Sequence, residues 1–360
     1  MDMYDNGAKA PQMTDLERLR SVNEPLLKWY CLNARELPWR ENPLPYRVWI
    51  SEIMLQQTRI EAVKPYFERF MKELPDVTDL AKVEEDRLMK LWEGLGYYSR
   101  ARNLKKAAEQ IVNEYGGQMP SCYQQLVKLP GIGSYTAGAI ASIAYNETVP
   151  AVDGNVLRVL SRVLASREDI LKQSVKKRME VMLRETMPKE AGAFNQGIME
   201  LGETICIPNG KPRCEECPLM QLCLACQEKL TDEIPFKTAP KKRRCEERTV
   251  CILEYHNQIG IRKRKATGLL ASLYELPNVE GYLKPEQLAE AFGLDSEAII
   301  SCEPLPAAKH IFSHVEWHMA GYRIRLGREL PKTYISVQKE ELKTIYPLPN
   351  AFGRYTKLIK

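Results

Sequence analysis

Four cysteines crowd into one short stretch, Cys206-x7-Cys214-x2-Cys217-x5-Cys223, together with Pro208, Pro212 and Pro218. The N-terminal MDMYDNGAKAPQMTDLERLR has no apolar core of the kind a secretory signal carries. Nowhere do the ~20 apolar residues of a bilayer span run together. A reducing, cytoplasmic setting with no membrane partner is therefore expected, nucleoid-associated in a bacterial source. Disulfides are not expected there, although the chain has 10 cysteines. The crowded thiols then read as a metal centre, and four thiolates suit zinc or a [4Fe–4S] cluster equally well. Cys226 stands just beyond them as a fifth thiol.

The chain is 360 residues long and 44% hydrophobic, enough for two domains with substantial cores. Its net charge of +5 permits nucleic-acid binding without arguing for it. Up to residue 205 the pattern is helical. Apolar positions recur at helical spacing in Leu16–Leu32, Tyr46–Gln57, Arg87–Leu95, Ala101–Tyr115, Tyr123–Leu129, Tyr135–Tyr145, Val156–Ala165 and Val175–Thr186. Pro120-Ser121 with Gln124 predicts a capping box. Residues 227–248, with two prolines and the basic run Lys241-Lys242-Arg243-Arg244, read as a linker. Beyond it, Thr249–Tyr255, Gln258–Lys263 and His318–Leu326 predict strands, and Lys284–Phe292 a helix.

Three features in the helical part suggest chemistry. Leu129-Pro130-Gly131-Ile132-Gly133 joins two helical segments. Gly131 and Gly133 allow a tight turn that presents backbone N–H groups at a helix start, where a phosphate binds without regard to base sequence. Glu52 sits among Val48, Trp49, Leu55 and Gln56 on an apolar helix. Burial there raises a carboxyl pKa and suits it to give a proton near neutral pH, although a glutamate bonded within a core reads the same way. Asp153 precedes Gly154-Asn155 and the next helix, as an N-cap does. A carboxylate at a helix start stays ionised and can face a developing cation. One acid and one anion are what cleavage of a glycosidic bond requires.

Several motifs together resemble a known family. These are Leu37-Pro38-Trp39-Arg40, the run from Ser51 to Thr58 (Ser-Glu-Ile-Met-Leu-Gln-Gln-Thr), Gly94-Leu95-Gly96-Tyr97-Tyr98-Ser99-Arg100, Leu129 to Ile140, Val152 to Val159, and the cysteine stretch. They are similar to adenine DNA glycosylases of the MutY type, in the helix-hairpin-helix, endonuclease III superfamily, from near Arg20 to the C-terminus. The resemblance implies a multidomain chain. A mainly α helix-hairpin-helix glycosylase domain with an iron–sulfur loop would span 1–226, a linker 227–248, and an α+β Nudix-like lesion-recognition domain 249–360. It implies monofunctional hydrolysis of the N-glycosidic bond of adenine mispaired with 8-oxoguanine or guanine in duplex DNA, by a monomer.

The same resemblance implies residue roles. Glu52 protonates adenine at N7 and then helps activate water. Asp153 stabilises the oxocarbenium ion, and Asn155 supports it. Gln57 and Tyr97 intercalate around the lesion pair, and Arg40 contacts the flipped base. Tyr135 occupies the position of a lysine that forms a Schiff base in lyase-competent relatives. Phe312, Ser313 and His314, otherwise ordinary strand or turn residues, match a loop that senses 8-oxoguanine. Cys206, Cys214, Cys217 and Cys223 hold a [4Fe–4S] cluster, with a first gap of seven residues where the family has six. The paired glutamates that bind magnesium in Nudix hydrolases are missing after Pro277, so nucleotide hydrolysis is not expected.

Overall fold

The computed structural model describes residues 13–239 and 242–359, which pack as two compact units. One is drawn from Met1–Ala81 and Leu104–Ala239, the other from Lys82–Asn103 and Pro240–Lys360. Among the described residues, no helix is long and apolar enough to cross a membrane.

The first unit is helical, and each of the eight periodic segments contains a helix. Thr14 starts Asp15–Asn33 with a capping box to Glu17. Leu19, Val22 and Leu26 of this helix share one core with Val156 and Leu160 of Gly154–Val163 and with Phe194, Ile198 and Leu201 of Ala191–Thr204. Pro45 occupies the first turn of Pro45–Leu55, where its missing N–H costs nothing. Every residue of that helix from Val48 to Met54 is buried. It lies against Ser134–Tyr145, a helix rich in small residues, of which Gly138 faces the backbone of Pro150 and Ala151 instead.

Two further helices, Ile60–Glu73 and Ala191–Thr204, form although Pro65 lies inside one and Gly192, Gly197 and Gly202 inside the other. The capping box expected at Pro120-Ser121 does not form. The helix there is Tyr123–Leu126, it begins after Cys122, and Cys122 makes no side-chain cap. Glu147 from a distant loop accepts from Tyr123 N at 2.8 Å instead.

The second unit is built on a mixed sheet. Its strands are β1 (Arg244–Tyr255), β2 (Gln258–Lys263), β3 (Tyr274–Glu275), β4 (Asn278–Glu280), β5 (Ile299–Ile311), β6 (Val315–Leu326) and β7 (Ile335–Gln338). The order is β3-β2-β1-β6-β5, with β4 also on β1 and β7 on β2. β1 and β6 run parallel, from Arg244↔Val315 to Glu254↔Arg325. Alternate residues of β1 feed two cores. Val250 and Ile252 join Trp317, Met319, Phe352 and Tyr355, while Cys251 and Leu253 join Leu288, Phe292 and Ile324. β5 went unread in the sequence because it is mostly exposed and carries Pro304 and Pro306, which suit an edge strand.

Residues 82–103 belong to this unit, where polar contacts hold them. Lys90 Nζ donates to the carbonyls of Leu342 (3.0 Å) and Tyr346 (3.2 Å). Asp86 accepts from Lys263 Nζ at 2.9 Å and from the Tyr274 hydroxyl at 2.8 Å. Glu93 accepts from Leu348 N at 2.8 Å.

The stretch 227–248 is divided in use. The carbonyls of Thr231 and Ile234 accept from Arg162, and that of Phe236 from Ile170 N, all within the first unit. From Arg244 onward the chain is β1. Lys241 of the basic run lies outside the described residues.

Candidate functional site

A cavity of about 500 Å³ opens in the helical unit. Six residues singled out in the sequence line it: Arg40, Glu52, Gln57, Tyr135, Asp153 and Asn155.

Glu52 reaches it from Pro45–Leu55 and is only 7% exposed. The Tyr135 hydroxyl, at the start of Ser134–Tyr145, donates to Glu52 Oε2 and also lies 3.3 Å from Met199 Sδ. Burial pushes the Glu52 carboxyl up to about 7. The Tyr135 hydrogen bond opposes the shift, the Asp153 anion adds to it, Arg40 opposes it, and Glu203 adds to it. The phenol of Tyr135, enclosed and facing these carboxylates, is held well above its ordinary range.

Asp153 is the N-cap of Gly154–Val163. Its Oδ1 accepts from Val156 N at 2.8 Å and its Oδ2 from Asn155 Nδ2 at 2.9 Å. The helix start alone favours the anion. Burial works against it, and the net direction is upward from an ordinary aspartate despite those hydrogen bonds. Asn155 is oriented from its other side, because Arg158 Nη2 donates to Asn155 Oδ1 at 2.8 Å.

Ala191–Thr204 crosses this turn at Gly202, where an added Cβ would stand 2.8 Å from Asn155 Cβ and 3.4 Å from Arg158 Nη2. Gly202→Ala is expected to cost about 1–3 kcal/mol by overpacking and to displace Asn155. Thermal melting with parallel excision assays checks this, and wild-type values in both would show that the turn has room to give.

Arg40 lines the cavity with its guanidinium already engaged: Nη2 donates to Glu200 Oε2 at 2.8 Å and Nη1 to the Arg35 carbonyl at 3.1 Å. Burial alone would raise the Glu200 carboxyl, but Arg35 and Arg40 hold it below its ordinary value. Glu200 and Glu203 also line the cavity, as do Met199 and Lys176, the latter 3.7 Å from Glu180. No motif marked these four. The available signal for Glu200 was the pair of arginines flanking Leu37-Pro38-Trp39, cations that need a partner if buried.

The hairpin joins Tyr123–Leu126 to Ser134–Tyr145. Gly131 adopts φ 76°, which requires glycine in practice. Gly133 does not, since its φ of −88° suits any residue. An added Cβ at Gly133 meets nothing within 4 Å, so its bare backbone leaves the helix start open to a ligand.

In the second unit, Tyr97, Phe312, Ser313 and His314 line a separate cavity of about 760 Å³ with Arg102 and Arg243. Tyr97 is 46% exposed and adopts φ 46°. Phe312 packs edge-on against His310 (4.5 Å) and Trp317 (4.9 Å), and Ser313 Oγ lies 3.1 Å from His314 Nδ1.

Cys206, Cys214, Cys217, Cys223 and Cys226 are all free and surround a small recess of about 20 Å³ together with Arg162. Arg162 Nη1 donates to Cys206 Sγ at 3.1 Å. Burial pushes the Cys217 thiol up to about 12 and those of Cys214 and Cys223 to about 11. Such thiols ionise when a cation takes them as ligands. The donor set is all sulfur with a guanidinium beside it, which fits an anionic thiolate centre. The longer first gap closes on itself, with Arg213 N donating to the Ile205 carbonyl at 3.0 Å.

Comparison with known proteins gives consistent matches. Residues 50–185 match the HhH-GPD superfamily of base excision DNA repair proteins, and residues 249–358 match the NUDIX domain. An adenine DNA glycosylase of Mus musculus is 35% identical, over 88% of this chain and 72% of that protein. One from Buchnera aphidicola subsp. Schizaphis graminum is 33% identical, over 84% of this chain and 87% of that protein. Among solved structures, endonuclease III in a non-covalent complex with DNA aligns with a TM-score of 0.52 at 26% identity, over 61% of this chain and 99% of that one.

Proposed function

The chain belongs to the adenine DNA glycosylase family and excises adenine in base excision repair; we propose that it acts as a monofunctional hydrolase on adenine opposite 8-oxoguanine or guanine in duplex DNA. The observation that carries this reading is Glu52, a carboxyl that burial pushes up to about 7, in one cavity with the half-buried carboxyl of Asp153.

In this reading, Gly131 and Gly133 hold a phosphate of the duplex, and the adenine turns out of the stack into the cavity. Extrusion costs a few kcal/mol, less for a mispaired base. Glu52 gives its proton to N7, so the C1′–N bond breaks with the base leaving neutral. The Asp153 anion faces the oxocarbenium ion that forms, and Asn155 fixes the Asp153 carboxylate. The Glu52 carboxylate then takes a proton from the water that adds to C1′. Gln57 and Tyr97 fill the stack, and Arg40, held by Glu200, forms the cavity wall near the base. Phe312, Ser313 and His314 read the base opposite the adenine.

Tyr135 has no amine with which to attack the sugar, which supports hydrolysis without strand cleavage. Incubation with an A:8-oxoguanine duplex, followed by alkali, should give strand breaks only after the alkali. Breaks without alkali, together with a borohydride-trapped adduct, would assign an endonuclease III-like lyase instead. An adduct lost in Lys176→Ala would identify the nucleophile. Tyr135→Phe removes a hydrogen bond that lowers the Glu52 pKa. The basic limb of its excision-against-pH profile is therefore expected to move to higher pH. An unmoved limb would remove Glu52 as the group that titrates.

The cysteine loop is assigned a [4Fe–4S] cluster, held by Cys206, Cys214, Cys217 and Cys223. When bound, the cluster would cross-link the four cysteines of the loop to one another, and Arg162 of Gly154–Val163 would stay hydrogen-bonded to the Cys206 sulfur beside it. No bond-breaking step involves it. Cys217→Ser is expected to lower bound iron per chain and the melting temperature together, by iron analysis and thermal scanning. Full iron content would exclude Cys217 as a ligand.

A further inference from the structure

A second group of metal-ligating atoms lies on the sheet of the second unit, apart from the cysteine loop. Cys245 on β1 and Glu316 and His318 on β6 each offer one ligand atom, and these atoms all lie within 4.8 Å of one another. The ladder accounts for the grouping. In the parallel pair, Cys245 stands opposite Glu316 and Glu247 opposite His318, so all four side chains share one face. Adjacent hydrogen-bonded strands fix the three ligands on a stiff frame.

The Glu316 carboxylate currently serves two cationic or polar partners. Lys309 Nζ lies 2.6 Å from its Oε1, and His318 Nε2 lies 2.6 Å from the same oxygen. Those bonds hold it below the usual carboxylate range, ready to act as an anionic ligand. Cys245 is exposed, and Glu316 and His318 are half-buried, so an ion has an entry path and water can complete its shell.

We infer that Cys245, Glu316 and His318 bind one borderline-soft divalent cation of the zinc class. A thiolate, an imidazole and a carboxylate are a three-ligand set that zinc accepts, with water in the fourth position. On binding, the Cys245 thiol proton leaves to solvent, His318 turns Nε2 from Glu316 to the metal, and Lys309 is displaced from the carboxylate. The site adjoins the turn between β5 and β6. Arg244 N donates to the His314 carbonyl at 3.2 Å, and Arg243 Nε to the Phe312 carbonyl at 3.2 Å. An ion on Cys245 therefore fastens the start of β1 directly beside the Phe312–His314 turn. The inference stands on these strands alone and does not rest on the proposed choice of mispair.

The test is site-resolved alkylation of Cys245 in the full-length, iron-containing protein, with a maleimide reagent, peptide mass spectrometry and Zn2+ as the probe. Micromolar free Zn2+ is expected to slow labelling of Cys245 about tenfold or more, since a metal-bound thiolate is masked. His318→Ala and Glu316→Gln are expected to remove that protection while leaving the thiol in place. Lys309→Met, which takes away the competing cation, is expected to give protection at lower Zn2+. Cys245 labelling that ignores Zn2+ overturns the site. Protection that persists undiminished in His318→Ala also overturns it, because the ion would then sit on the thiol alone.

Discussion

Glu52→Gln is expected to slow single-turnover excision of adenine by about 10²–10⁴-fold while duplex affinity stays near wild type. Glutamine keeps the shape of the side chain and an oxygen to accept from Tyr135, but has no proton to give. In the wild type, the rate is expected to follow the protonated fraction of Glu52, so that excision falls as pH rises through about 7. In the variant that dependence disappears. The same carboxyl makes stability depend on pH. The folded chain keeps the Glu52 proton up to about 7, whereas the unfolded chain releases it near the ordinary value of 4.5. Between those values the unfolded state binds fewer protons, so stability falls as pH rises, and the loss is complete above the folded value. The separation corresponds to roughly 3 kcal/mol. Glu52→Gln is therefore expected to match the wild type in melting below pH 4.5 and to exceed it increasingly up to neutrality. An inactive but more stable variant is the signature of a group kept strained for chemistry. Parallel melting curves of the two proteins across that window would falsify the link between burial and acid strength.

Much of this site was readable in the chain because its chemistry is local. Glu52 announces itself as one carboxylate on an otherwise apolar helix, and Asp153 as a cap immediately before a helix that begins Gly154-Asn155. The cysteines share one loop, so their grouping around one recess was legible from spacing alone. The parts that escaped depend on pairings far apart in sequence. Arg35 and Arg40 find Glu200 some 160 residues away, and no periodicity encodes that choice. The membership of residues 82–103 in the second unit rests on Lys90, Asp86 and Glu93 meeting backbone and side chains near residues 263–348. Their own segment reads as one more amphipathic helix. The prolines of β5 hid a strand because an edge position tolerates what a central one does not. The tight turn needs glycine at Gly131 but not at Gly133, whose φ is ordinary and whose backbone faces open space.

Asp153→Asn would separate the cap seen at this carboxylate from the electrostatic role proposed for it. Asparagine caps a helix as well as aspartate, so the bond to Val156 N survives through its oxygen. The second bond is lost, because the amide of Asn155 then faces another NH₂ group, at a cost of about 1 kcal/mol. If Asp153 were a cap alone, excision would stay within a few-fold of wild type and only the melting temperature would drop. With a cation developing beside it, removal of the anion is expected to cost about 10²–10³ in the excision rate. A second readout excludes a merely structural cause. The Asp153 anion raises the Glu52 pKa, so its removal moves the basic limb of the pH profile to lower pH, opposite to the shift from Tyr135→Phe. Opposite displacements of one limb are expected if Glu52 is the titrating acid, with Tyr135 acting on it through its hydrogen bond and Asp153 through its charge. A limb that stays put in both variants would transfer the acid role to another residue of the cavity.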